Sequence, residues 1–116
     1  MAKAQWLNVL VYEPARNAIH EWPYGVRKDL GDALTKLQKG ESVGMPDVRP
    51  MPSVGKGVCE IRTRASSGAY RVFYFIQGAH GIYVFHAFMK KTQQTPNQEI
   101  LTARERLNRF LKELEH

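Results

Sequence analysis

The chain has 116 residues, 43% hydrophobic and 24% charged, which is the size and composition of one globular domain with a single core. One cysteine, Cys59, excludes an intrachain disulfide and a cysteine-based zinc site, and the four histidines show no metal-ligand spacing. A formal charge of +6 and a pI near 9.7 favour a polyanion or an acidic protein as partner.

Gln5 to Tyr12 reads as a first strand. Its apolar part, Trp6 to Tyr12, is far too short to span a membrane and lacks the flanks of a signal peptide. A cytoplasmic protein with no membrane partner and no cofactor is the simplest expectation. Pro14 opens a short helix that runs to about Glu21, where Pro23 and Gly25 interrupt it. A second helix is expected from about Tyr24 to Lys39. Val26, Leu30, Ala33, Leu34 and Leu37 form its apolar stripe, and Gly40 stops it. Gly44 to Gly57 reads as loop, broken by Pro46, Pro50, Pro52 and Gly55; its Arg49 and Lys56 could flank a cleft.

Three strands follow, at about 57–64, 69–77 and 81–90, joined by short turns at Ser66-Ser67-Gly68 and Gly78-Ala79-His80-Gly81 into an antiparallel meander. The last helix has Thr95 as N-cap, Pro96 at its first position and Gln98 to complete a capping box. Ile100, Ala103, Leu107, Phe110 and Leu111 are its buried stripe, with Arg104, Arg106, Arg109 and Lys112 largely outside. The order β-α-α-β-β-β-α describes one α+β domain over residues 1–113: a mostly antiparallel sheet, a helical hairpin on one face and the C-terminal helix on the other. Leu114-Glu115-His116 resembles a junction before a histidine tag and carries no functional weight.

The meander also carries the chemistry. Alternation puts Glu60, Arg62 and Arg64 on one face of their strand, Arg71 with Phe73 and Phe75 on the next, and Lys90 with His86 and Phe88 on the last. Lys91 points to the opposite face from Lys90. If Arg62, Arg71 and Lys90 face the same side, they make a cationic cleft suited to a phosphodiester, with Phe73 and Phe88 as base-stacking walls. Each residue also has a plain structural reading. Glu60 with Arg62 or Arg64 would be a solvated strand-face ion pair, Lys90-Lys91 a charged strand end, and His86 a hydrogen-bonded core histidine.

The runs Glu60-Ile61-Arg62, Tyr70-Arg71-Val72-Phe73-Tyr74 and Phe88-Met89-Lys90-Lys91-Thr92-Gln93-Gln94-Thr95-Pro96, with Glu99-Ile100 and Ala103, resemble the HigB-like, phage-derived branch of the RelE/ParE toxin superfamily. The resemblance covers nearly the whole chain, and the Lys-Lys-Thr-Gln-x-Thr-Pro segment is its most specific part. It implies a RelE-like fold and a type II toxin that cleaves mRNA on the ribosome without a metal, held inactive by a small helix-turn-helix antitoxin. Arg62 and Arg71 would hold the scissile phosphate, Lys90 and Lys91 would assist as base or electrostatic partners, and His86 is the reserve acid–base candidate. Arg64, Arg49, Lys56, Phe73 and Phe88 would contact RNA. The tyrosine or histidine that RelE-like enzymes often use near the chain end has no clear counterpart after Thr92. A ParE-like topoisomerase inhibitor and a basic RNA- or partner-binding protein without catalysis are the alternative readings.

Overall fold

The first strand is shorter than its apolar run: in the computed structural model, which describes residues 6–43, 47–78, 81–91 and 96–114, strand β1 covers only Val9–Val11. Pro14 then sits in the first turn of helix α1, Glu13–His20, where a missing N–H costs nothing. Helix α2 spans Tyr24–Gln38. It stops where expected, because Gly40 takes a φ of 80° while its own N–H and that of Glu41 bond back to the carbonyls of Leu37 and Lys36.

The segment expected to be loop contains a strand. β2, Val48–Pro50, pairs antiparallel with β3, Val58–Ala65, matching Val48 with Ile61 and Pro50 with Cys59. A proline fits there because β2 is an edge strand, which needs only one side of its backbone paired. β4, Gly68–Ile76, and β5, Ile82–Lys90, complete the meander as predicted. The sheet therefore has five strands in the order β1-β5-β4-β3-β2, antiparallel except for β1, which lies parallel to β5.

Two apolar layers hold the sheet. On one face Ala15, Trp22, Val26, Leu30 and Leu37 of the helical hairpin pack on Ile61, Val72, Tyr74, Ile82 and Val84. On the other, helix α3, Asn97–Leu114, lays Ala103 and Leu107 on Val58, Phe73, Tyr83, Phe85 and Phe88, and Phe110 stacks on Tyr83 with ring centroids 3.6 Å apart. Fully burying a side chain such as Phe73 or Phe85 contributes about 1.5–3 kcal/mol. Thr95, the expected N-cap of α3, lies outside the described residues; Pro96 directly precedes the helix and accepts from the N–H of Glu99.

A bulge decides which β5 side chains meet α3. The register moves from Phe73↔His86 to Tyr74↔Val84, so Phe85 is the extra residue and both Phe85 and His86 face the helix. Strict alternation would have separated them. Arg106, expected outside, is drawn in by this feature: its Nη1 donates to the Phe85 carbonyl at 3.2 Å and to His86 Nδ1 at 2.8 Å.

Candidate functional site

The α3 face of the sheet is apolar only where the helix covers it. Beyond that cover, the same alternation delivers polar residues in adjoining rows. Arg49 stands opposite Glu60 and Glu60 opposite Phe73; in the next row Arg62 stands opposite Arg71 and Arg71 opposite Phe88. The final row sets Arg64 against Ala69 and Ala69 against Lys90. The cations of the last two rows open onto a cleft of about 690 Å³ lined by Arg62, Arg64, Ser67, Arg71, Lys90 and Lys91. A second hollow of about 440 Å³ adjoins it on the α2 side; it shares Arg62, Arg64 and Arg71 and adds Asp29, Asp32, Lys36, Asp47 and Thr63.

Glu60 is the centre of the cluster. It is 2% exposed, and its Oε1 lies 3.5 Å from Arg71 Nε and 3.7 Å from Arg62 Nε. Arg71 is equally buried, at 3%, with Nη1 donating to the Tyr70 carbonyl at 3.2 Å. Arg62 reaches further into solvent, its side chain 25% exposed. Burial pushes the Glu60 carboxyl above its ordinary range, against the pull of Arg71, Arg62, Lys90 and Arg49. Burial also lowers the Arg71 guanidinium, an effect Glu60 opposes and the neighbouring arginines reinforce. The Lys90 amine is held below the usual lysine value, first by desolvation and then by Arg71, with Arg62 and Arg49 adding to it and Glu60 opposing.

The structure thus brings together Arg62, Arg64, Arg71, Lys90 and Lys91 around one cleft, Lys91 included although strict alternation would send it to the opposite face, because it lies just past the end of β5; Arg49 stands behind them, opposite Glu60. Others among the sequence candidates it places elsewhere. Lys56 sits in the turn before β3, at the opposite end of that strand from Arg64. Phe73, fully buried, and Phe88 lie edge to face beneath α3 with centroids 5.4 Å apart, so neither presents a ring to a base. The physical reason is the helix, whose cover extends over both rings. His86 is also under α3. Arginine can only donate, so Nδ1 accepts from Arg106 and the ring proton is on Nε2, aimed at Glu99 Oε1 2.7 Å away. Desolvation lowers the imidazole's pKa, Arg106 adds to this and Glu99 opposes it. A neutral ring engaged at both nitrogens is a joint between β5 and α3, not an open acid–base group.

Glu60 is the residue that sequence reasoning misjudged. Read as a solvated ion pair, it is instead the buried counter-charge of the site. The available signal was its place between the apolar Cys59 and Ile61, opposite a phenylalanine. Among the described residues no three His, Cys, Asp or Glu side chains gather as a metal site would require, and no helix is long and apolar enough to cross a membrane.

Compared with known proteins, residues 17–108 match the model of a family described as phage derived protein Gp49-like. Among solved structures, the chain is similar to the E. coli toxin RelE, solved as a double mutant in the free state. The match has a TM-score of 0.61 and 18% identity, and covers 91% of this chain and 98% of that one. The likeness is one of fold. No curated protein sequence matches.

Proposed function

Because this chain belongs to the phage-derived, Gp49-like protein family and has a RelE-type fold, we propose that it is a toxin of the HigB-like branch that cleaves mRNA on the ribosome without a metal. One observation carries the reading: a cleft whose charged lining, among the described residues, is cationic, with the Glu60 carboxylate buried behind the arginines. Such a lining fits a single-stranded polyanion at the point where negative charge grows.

In the reaction the substrate's 2′-hydroxyl oxygen bonds to the adjacent phosphorus as the bond from phosphorus to the 5′ oxygen breaks. The products are a 2′,3′-cyclic phosphate and a 5′-hydroxyl. Arg62 and Arg71 stabilise the non-bridging oxygens. Lys90, with its amine pushed toward the neutral form, accepts the hydroxyl proton, and Lys91 donates one to the leaving oxygen. Arg49 and Arg64 hold flanking phosphates. A small cytoplasmic antitoxin with a helix-turn-helix domain would cover the cleft with carboxylates.

The test is controlled expression in cells, followed by growth measurement and mapping of transcript 5′ ends, with the upstream fragments assayed for cyclic phosphate. Growth arrest with new internal ends supports the reading; arrest with intact transcripts refutes it. A ParE-like inhibitor of a topoisomerase is the second reading. It is favoured by the absence, among the described residues lining the cleft, of any histidine or tyrosine. DNA damage accompanying arrest would select it.

A further inference from the structure

Arg62 and Arg71 are direct cross-strand partners, so two guanidiniums share one rung of the ladder. Like charges so placed repel, and the sheet tolerates them only with a counter-charge nearby. Among the described residues Glu60 is the one carboxylate in ion-pair contact with either of them. It faces both at Nε, through the same oxygen, as ion pairs of 3.7 and 3.5 Å without a hydrogen bond; Oε2 and the two buried Nε atoms have no hydrogen-bond partner among the described residues. The Arg71 Nη1 is already committed to the Tyr70 carbonyl. Phe73 on one side and Arg49 on the other flank Glu60 along its row.

We infer that Glu60 is the positioning residue of the cleft: lodged at the Nε side of both guanidiniums, it holds Arg62 and Arg71 together so that their remaining N–H groups converge on one phosphate. Glu60 is too buried to meet the substrate itself. It acts through the arginines, cancelling their mutual repulsion and fixing the approach of each. The kinetic part of this assignment rests on the cleavage reading; the geometric part does not.

Two arms separate the two. In the first, Nε–H signals of Arg62 and Arg71 are followed by NMR in the wild type, Glu60→Gln and Glu60→Asp. Both Nε atoms are shielded from solvent, so slow hydrogen exchange is expected in the wild type, faster exchange in Glu60→Gln as the guanidiniums separate and become exposed, and partial protection in Glu60→Asp, which also serves if the Gln variant folds poorly. In the second, affinity for a 2′-O-methyl oligoribonucleotide is measured beside the cleavage rate. Glu60→Gln raises the charge of the cleft by one, so the oligonucleotide should bind at least as tightly. Cleavage should slow by about 10- to 100-fold, because the donors are no longer aimed. This split between binding and rate is what a merely structural role would not give. Glu60→Gln with wild-type cleavage and unmoved arginine signals overturns the assignment, as does a parallel loss of binding and rate with those signals unmoved. A wild-type protein that cleaves no RNA refutes the cleavage reading, and the NMR arm still decides the role of Glu60.

Discussion

Replacing Arg71 with alanine should damage stability as well as activity, by an amount that depends on pH. Read from the sequence, Arg71 is a cleft residue whose loss leaves the fold intact. In the structure it is the nearer partner of a buried carboxylate, with both side chains under 5% exposed. At 3.5 Å the gross attraction is about 5 kcal/mol at an effective dielectric constant near 20. Stranding one member of such a pair typically costs about 3–5 kcal/mol. Arg62 remains at 3.7 Å, so the lower end, about 3 kcal/mol at pH 7, is expected. With roughly 2 cal/mol/K of unfolding entropy per residue, that is a fall of about 12 °C in Tm.

The pH dependence has a definite sign. The Glu60 carboxyl is already raised by burial, and Arg71 is the leading charge holding it down, so the variant raises it further. A carboxyl raised in the folded state contributes stability that is fully present below its unfolded value and lost as pH rises through the folded value. The deficit of Arg71→Ala should therefore shrink from pH 7 toward pH 5. Adding Glu60→Gln should restore about 2 kcal/mol at pH 7 by removing the stranded charge, without restoring activity. Urea melts followed by far-UV circular dichroism at both pH values measure all of this. If Arg71→Ala is as stable as the wild type at pH 7, or the double variant gains nothing over the single, the buried pair is not the energetic unit described.

Lys90→Arg keeps the charge but cannot shed a proton. If Lys90 is the base, the single-turnover cleavage rate should drop by about 100-fold or more, whereas a wild-type rate would leave it an electrostatic role only. In the wild type the rate should rise with pH and level off below the ordinary lysine range, because the Lys90 amine is held down. His86→Ala should cost about 2–3 kcal/mol through the partners it leaves in Arg106 and Glu99. The wild type should also lose stability as pH falls below the ordinary imidazole value, since the folded imidazole's pKa is depressed; the variant, melted across pH 5 to 8, should lack that slope. Gly81→Ala should destabilise by at least about 2 kcal/mol. Its φ of 120° suits only glycine, and a Cβ there would run into the Asn8 backbone beside the β1–β5 pairing; an unshifted Tm would contradict this.

The long elements were legible because periodicity reports burial directly. Val26, Leu30 and Leu37 gave the buried stripe of α2, and Gly40 gave its end. β2 was hidden because three residues among prolines carry no alternation; only the pairing with β3 makes them a strand. The bulge was equally hidden, since an extra residue at Phe85 has no composition signal, and with it went the inward turn of Arg106. Alternation grouped Arg62, Arg71 and Lys90 on one face, and all three line the cleft. It could not tell a solvated carboxylate from a buried one, which depends on what covers the face. That is why Glu60 was undervalued, and why Phe73 and Phe88 read as open stacking walls when α3 closes over them.

The parallel pairing of β1 with β5 has a consequence for how the chain acquires its structure. Val9 meets Ile82, so β1 finds its neighbour in the described sheet only once the much later β5 has been made. Arg62 and Arg71, by contrast, share the β3–β4 hairpin, a local unit that closes early. Folding should thus begin in the meander, with the cationic rung assembled there, and finish when the N-terminal strand docks and α3 seals the opposite layer. During synthesis the apolar stripe of α2 waits uncovered for that meander, a window in which the nascent chain is open to aggregation. Mutations that slow the docking of β1, at Gly81 above all, would lengthen the last step while leaving the hairpin that carries the arginines already in place.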